Sequence, residues 1–220
     1  MTFASPATLQ MRRCNAHLRN FAASGGATIT GVERRVFSGA GVWEIVLEEI
    51  RVWNAAQAWA YEAMLARLRQ GEDMVLTLPP GPYLAPFSAA PLLTANAALG
   101  ATTLNVSGLN ADTTAGQKFS IGNRLHQITS VVSEVKADNA LVTSITGGDP
   151  WPASGHWLDG AAVTSQLTIL PPLRAAITTG AACDFKNLRA TVRLKDMTDG
   201  DLSLDLGRFG SPSLTLFESI

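Results

Sequence analysis

Residues 41–78 constrain the fold more than any other stretch, because they read strand, helix, strand in a chain that is otherwise β-like. Over 42–48, Trp43, Ile45 and Leu47 fall on one face and Glu44 and Glu48 on the other. That period of two predicts a half-buried strand. Asn54 can cap a helix, because its side-chain oxygen can accept a free N–H of the first turn. Residues 55–70 hold no Pro or Gly and are rich in good helix formers. Ala58, Tyr61, Leu65 and Leu68 make one apolar stripe. Arg67 and Arg69 suit the negative end of the helix dipole, and Gly71 suits a left-handed C-terminal cap. Residues 74–78 return as a strand that Pro79-Pro80-Gly81-Pro82 stops. The expected local plan is a β-sandwich carrying one helix on its flank.

Elsewhere the chain divides into short strands. Residues 2–9 read as an arm or an edge strand, and 13–21 stay open between strand and loop. Residues 27–37 are β-rich, and Ser38-Gly39-Ala40-Gly41 turns them into the strand at 42–48, which predicts a long hairpin. The Pro-rich run 79–91 marks a boundary. Beyond it, strands are predicted at 102–106, 119–121, 124–128, 140–145 and 166–170. Gly122-Asn123 forms a tight turn, and 129–135 prolong the arm after it. Such a series suits a small barrel or sandwich. Alternation returns at 188–194 and 202–206, and 214–217 close the chain. One strand and a helix-flanked hairpin cannot complete a sandwich alone. The C-terminal strands are expected to complete it, which makes the middle region an insertion.

A chain of 220 residues can bury about 70% of the surface of its unfolded state. Hydrophobic residues at 46% with 16% charged fit a globular chain. A net charge of −1 gives no electrostatic reason for general nucleic-acid binding. No apolar run reaches the roughly 20 residues of a membrane span, and no signal-peptide pattern opens the chain. Cys14 and Cys183 make no disulfide framework and read as reduced thiols.

The search for chemistry finds no zinc-protease, dithiol, nucleophile-elbow or phosphate-loop motif. His17, His126 and His156 share no ligand spacing, and His126 reads as a surface or half-buried strand residue. Asp199 and Asp201 flank Gly200, yet the further oxygen ligands of a Ca²⁺ loop are missing, so this is a plain turn. The loop 147–160 places Trp151, His156 and Trp157 among turn residues. Its tryptophans either fold back as a lid or form a contact for another chain or a sugar. Trp43, Trp53 and Trp59 read as core or subunit-interface anchors. Arg12, Arg13, Arg19, Arg34 and Arg35 face only Glu33 among the first forty residues, while Asp196, Asp199, Asp201 and Asp205 lie near the other end. These are either two solvated faces or complementary patches that meet between identical subunits.

Three stretches carry a family resemblance. The first is Trp43-Glu44-Ile45 before a helix ending Met64-Leu65-Ala66-Arg67-Leu68-Arg69-Gln70-Gly71, and then a strand. The second is Ala115-Gly116-Gln117-Lys118-Phe119-Ser120-Ile121-Gly122-Asn123-Arg124-Leu125-His126-Gln127-Ile128, with Gln117 in place of an acidic residue. The third is Pro171-Pro172-Leu173-Arg174-Ala175-Ala176. Together they resemble distal-tail (Dit-like) and related baseplate proteins of long-tailed phages and phage-like gene transfer agents. The resemblance implies a mainly β protein, a tail-tube-like sandwich with one flanking helix that assembles into a hexameric ring, plus a second β-domain facing outward.

The expected organisation is a ring-forming sandwich from residues 1–90 and 183–220, with its helix at 55–70, and an inserted small barrel-like (OB-like) domain at 91–182. The expected function is a structural, non-enzymatic virion protein of the tail tip without cofactor or metal. It would be assembled in the host cytoplasm and would join the tail tube to the hub and receptor-binding machinery. Expected partners are further copies of itself, the tail tube protein, and hub and tape-measure proteins. A receptor-binding protein is a further candidate; no membrane or sequence-specific nucleic acid is expected. The alternative is a carbohydrate-binding module acting through Trp151 and Trp157. Candidate contact residues are Arg12, Arg13, Arg34, Arg35, Trp151, His156, Trp157, Asp199 and Asp201.

Overall fold

A computed structural model describes residues 1–7, 9–20, 22–27, 33–37, 41–79, 91–109, 113–135, 163–202, 204–205 and 208–219. The chain is mainly β. Its elements are β1 (Thr2–Ala4), β2 (Gln10–Arg19), β3 (Ala22–Ala27), β4 (Glu33–Phe37), β5 (Val42–Arg51), α1 (Ala55–Arg69), β6 (Asp73–Leu78), β7 (Leu92–Leu93), β8 (Thr103–Leu109), β9 (Lys118–Ile121), β10 (Arg124–Val135), β11 (Val163–Leu170), β12 (Cys183–Asp184), β13 (Leu188–Leu194), β14 (Leu204–Asp205), β15 (Arg208–Phe209) and β16 (Leu214–Glu218).

The first sheet has six strands in the order β1-β6-β13-β16-β5-β2. Every pair is antiparallel except β1 with β6. Its inner face buries Trp43, Ile45, Leu47, Leu76, Val192 and Leu216 completely, and α1 lies on it through Ala58, Tyr61, Met64, Leu65 and Leu68. Each such large side chain contributes about 1.5–3 kcal/mol. The cap forms as the sequence predicts: Asn54 Oδ1 accepts the Gln57 N–H at 2.8 Å. Leu202 also packs against this core.

The inward period of β5 slips by one residue. Trp43, Ile45 and Leu47 point inward, and then Ile50 does, with Glu48 and Glu49 both between them. Glu49 takes a positive φ of 52° at the slip. Opposite it, β2 slips in the same place: Met11 and Cys14 pack on the core, with Arg12 and Arg13 between them. Two matched slips keep the register intact, with Met11 opposite Ile50 and Cys14 opposite Leu47.

The expected hairpin between 27–37 and 42–48 does not form. β5 pairs with β2 and β16, and β4 pairs with β3. The physical reason lies in β2, whose Cys14, Ala16 and Leu18 keep inward phase with Trp43, Ile45 and Leu47. The segment 10–19 is thus a strand, and 2–4 form an edge strand.

The second sheet has the order β12-β9-β10-β11-β8-β7. Its ends are joined by a bridge between Leu92 and Ala182, with Cys183 N–H donating to Pro91 O at 2.8 Å. The sheet is thereby a nearly closed barrel around Leu93, Val106, Phe119, Leu167, Ile169 and Phe185. Gly122 (φ 60°) and Asn123 make the two-residue turn between β9 and β10. Cys183, Asp184 and Phe185 belong to this lobe, by pairing or by packing, so the chain leaves it a few residues after 182. The predicted strand at 140–145 and the loop at 147–160 lie outside the described residues.

Candidate functional site

The barrel lobe meets one end of the first sheet through a joint of buried polar groups. Trp43 is fully buried, and its indole N–H donates to Leu125 O at 2.7 Å. The Lys118 ammonium stands 5.1 Å from the centre of that ring and donates to Ala16 O at 2.9 Å. Arg124 donates to Glu218 Oε1 at 3.3 Å and to Ser219 O at 2.8 Å. Arg174 donates to Gly41 O at 2.9 Å, and the Thr191 N–H to Asn123 O at 2.9 Å. Burial pushes the Glu218 carboxyl up against the pull of Arg124, and it pushes the Lys118 ammonium down. Six hydrogen bonds and one cation–ring contact, from three segments of the lobe, tie it to the sheet, so the joint fixes the lobe's orientation.

The opposite end of the sheet is built differently. There β5 ends at Arg51, beside Gln10 of β2, and the chain passes through Trp53 into α1. Trp53 and Trp59 are each 69% exposed. The Arg51 guanidinium lies 5.4 Å from the Trp53 ring centre. At its far end α1 turns into β6 beside β1, with Arg67 lying 4.0 Å above the Phe3 ring. The helix therefore spans the sheet from the β2–β5 side to the β1–β6 side.

The outer face of the sheet is polar. Glu44 accepts from Lys195 at 2.7 Å and sits 3.8 Å from Arg19, and these bonds hold its carboxyl below the usual range. Both cations also lie near the Phe217 ring, at 5.4 and 5.8 Å.

The predicted contact residues are not brought together. Arg12 pairs with Glu49 at 2.9 Å and Arg13 with Glu48 at 3.9 Å, across the matched slips. Asp201 pairs with Arg69 of α1. Asp199 accepts the Thr215 N–H at 2.8 Å and the Gly200 N–H at 3.1 Å. Arg12, Arg13, Asp199 and Asp201 thus each have a partner inside one chain. Arg34 and Arg35 lie on β4, whose side chains are not described; Trp151, His156 and Trp157 lie outside the described residues.

The turn at 199–201 does more than reverse the chain. Gly200 O accepts the Tyr61 hydroxyl at 2.6 Å, which docks the turn on α1. Burial and the nearby Asp199 carboxylate push the Tyr61 hydroxyl up to about 12. A Cβ at Gly200 would meet Leu214 Cδ1 at 2.6 Å, and its φ of 84° favours glycine.

His126 differs from its expected exposure. It is 1% exposed in the lobe, bonded through Nδ1 to Pro171 O at 3.0 Å and 5.8 Å from the Phe119 ring centre. Burial pushes its pKa down to about 4, so it is neutral at pH 7. Both cysteines are free, and burial pushes Cys14 up to about 11 and Cys183 up to about 12. Among the described residues no three His, Cys, Asp or Glu side chains gather as a metal site requires. No family model matches the chain, and no curated protein matches it significantly. Sequence reasoning missed the joint, whose residues carry no local signal; of the three tryptophans read as core or subunit-interface anchors, Trp43 is in the core and Trp53 and Trp59 are exposed.

Proposed function

We propose that this protein is a structural component of a phage-type tail tip, a ring-forming adaptor between the tail tube and the hub and receptor-binding machinery. One observation carries the reading: among the described residues the first sheet has two unlike unpaired edges that run in the same direction. At one edge stands β2, with ten residues; at the other stands β1, with three. Counting the antiparallel steps between them makes β1 and β2 parallel. A copy rotated about a ring axis can therefore add its β1 to the β2 edge, head to tail, without reversing any strand. An unequal edge pair of this kind makes a heterologous contact, which closes into a ring when the rotation divides a full turn. Free edge strands otherwise invite uncontrolled pairing, so a defined neighbour is the expected solution.

The joint supports the same reading, because an adaptor must hold its outward domain at a fixed angle. Arg12, Arg13, Asp199 and Asp201 each have a partner within the chain, so the reading does not rest on their pairing between copies. Native mass spectrometry and electron microscopy of the purified full chain test the proposal. Closed rings, six-membered by the family resemblance, are expected. A chain that stays monomeric alone and is found as isolated monomers in complete particles would sink it.

A further inference from the structure

We infer that the tryptophan-bearing end of α1 is the docking face for a second copy of this chain, which seats Trp53 and Trp59 against the C-terminal half of its own α1. This inference rests on the ring reading above and names the apolar part of that contact.

Three observations lead to it. First, Trp53 and Trp59 are each 69% exposed, while the third described tryptophan is fully buried. Two open indoles at one end of a molecule are a large unburied apolar area, and tryptophan is the residue type most enriched at the centres of interfaces. Second, the outward face of α1 is uncharged. Ala55, Ala56, Trp59, Ala63 and Ala66 are all exposed on it, with Glu62 and Arg67 confined to its flanks. A surface helix ordinarily turns its charges outward. Small side chains four and seven residues beyond Trp59 leave a shelf on which a flat ring can lie close to the backbone.

The third observation fixes the occupant. The N-terminal end of α1 stands beside the β2 edge, and its C-terminal end beside the β1 edge. Adding β1 of one copy to β2 of another therefore brings the start of one α1 next to the end of the next. The protruding indoles and the alanine shelf occupy opposite ends of one helix, which is what a head-to-tail contact between identical chains needs.

The test uses the full chain, with sedimentation and native mass spectrometry over a concentration series. The variant Trp53→Ala/Trp59→Ala changes only exposed side chains, so its circular dichroism should match the wild type. Its half-assembly concentration should rise by at least about tenfold. Wild-type rings that the tryptophan variant forms equally well would overturn this contact and leave the ring reading standing. A wild type that never assembles would overturn both. A dimer that grows no further would overturn the head-to-tail geometry.

Discussion

The two six-stranded sheets treat their outermost strands in opposite ways. In the barrel lobe, β7 and β12 are brought together by the Leu92–Ala182 bridge, and the edges vanish into one another. In the other sheet β1 and β2 stay apart, with α1 covering one face and a polar surface on the other. Each buries an apolar interior of its own. The closed sheet satisfies its own backbone groups and can serve as a rigid appendage. The open sheet leaves a row of N–H and C=O groups whose natural partner is another strand. On the proposed reading, assembly would belong to the open sheet and presentation to the nearly closed one, with the joint holding their orientation.

The sharpest way to break this division is at Trp43, where the sheets meet. Trp43→Ala removes a fully buried ring and its bond to Leu125 O, and should cost about 3–5 kcal/mol in urea unfolding. A single transition that moves as a whole would show the two sheets unfolding together. Two transitions, with only one displaced, would mean that the lobe folds independently and the joint is weaker than its bonds suggest.

Next in size is Arg124→Ala, which takes from Glu218, 1% exposed, its hydrogen-bonded cation and leaves only the longer-range pull of Arg174. A loss of about 3 kcal/mol is expected at neutral pH. The pH dependence sharpens the point. Because the folded-state pKa of Glu218 is raised, the folded chain holds this proton more tightly than the unfolded one. Its contribution is most favourable below the unfolded value and falls as pH rises through the folded value. Removing Arg124 should steepen that decline, and Glu218→Gln should abolish it. Identical pH profiles in wild type and Glu218→Gln would contradict the assignment.

Gly200→Ala tests the open sheet alone. The added methyl meets Leu214 and the Tyr61 hydroxyl at a positive φ, so thermal unfolding should reveal a loss of about 2 kcal/mol. Lobe signals, such as the environment of Phe119, should not change. The smallest effect is expected at Arg12→Ala. Its pair with Glu49 is exposed, so stability should change by less than about 0.5 kcal/mol. A larger loss of ring formation than of stability there would return Arg12 to the subunit contact.

The sequence by itself determined the elements whose signals are local. Asn54, the 58-61-65-68 stripe and Gly71 specify α1 without help from the rest of the chain. Gly122-Asn123 specify their turn, and the alternation at 188–194 specifies β13. Even the slip in β5 was written there, as two adjacent glutamates between Leu47 and Ile50. What only the tertiary structure decided was pairing and burial. Cys14 and Ala16 are too small to announce a strand, and with Leu18 they win the place beside β5 because their phase matches it. His126 alternates like a surface residue and is buried because Pro171, 45 positions away, offers it an acceptor. The joint draws on Lys118, Arg124, Arg174 and Glu218, none of which signals its partner in sequence, because an ion pair or a buried hydrogen bond is defined by distance in space. Trp43 and Trp59 are the same residue type with opposite fates. The side of the sheet or helix on which each stands, and what lies opposite it, put one at the centre of the core and left the other exposed.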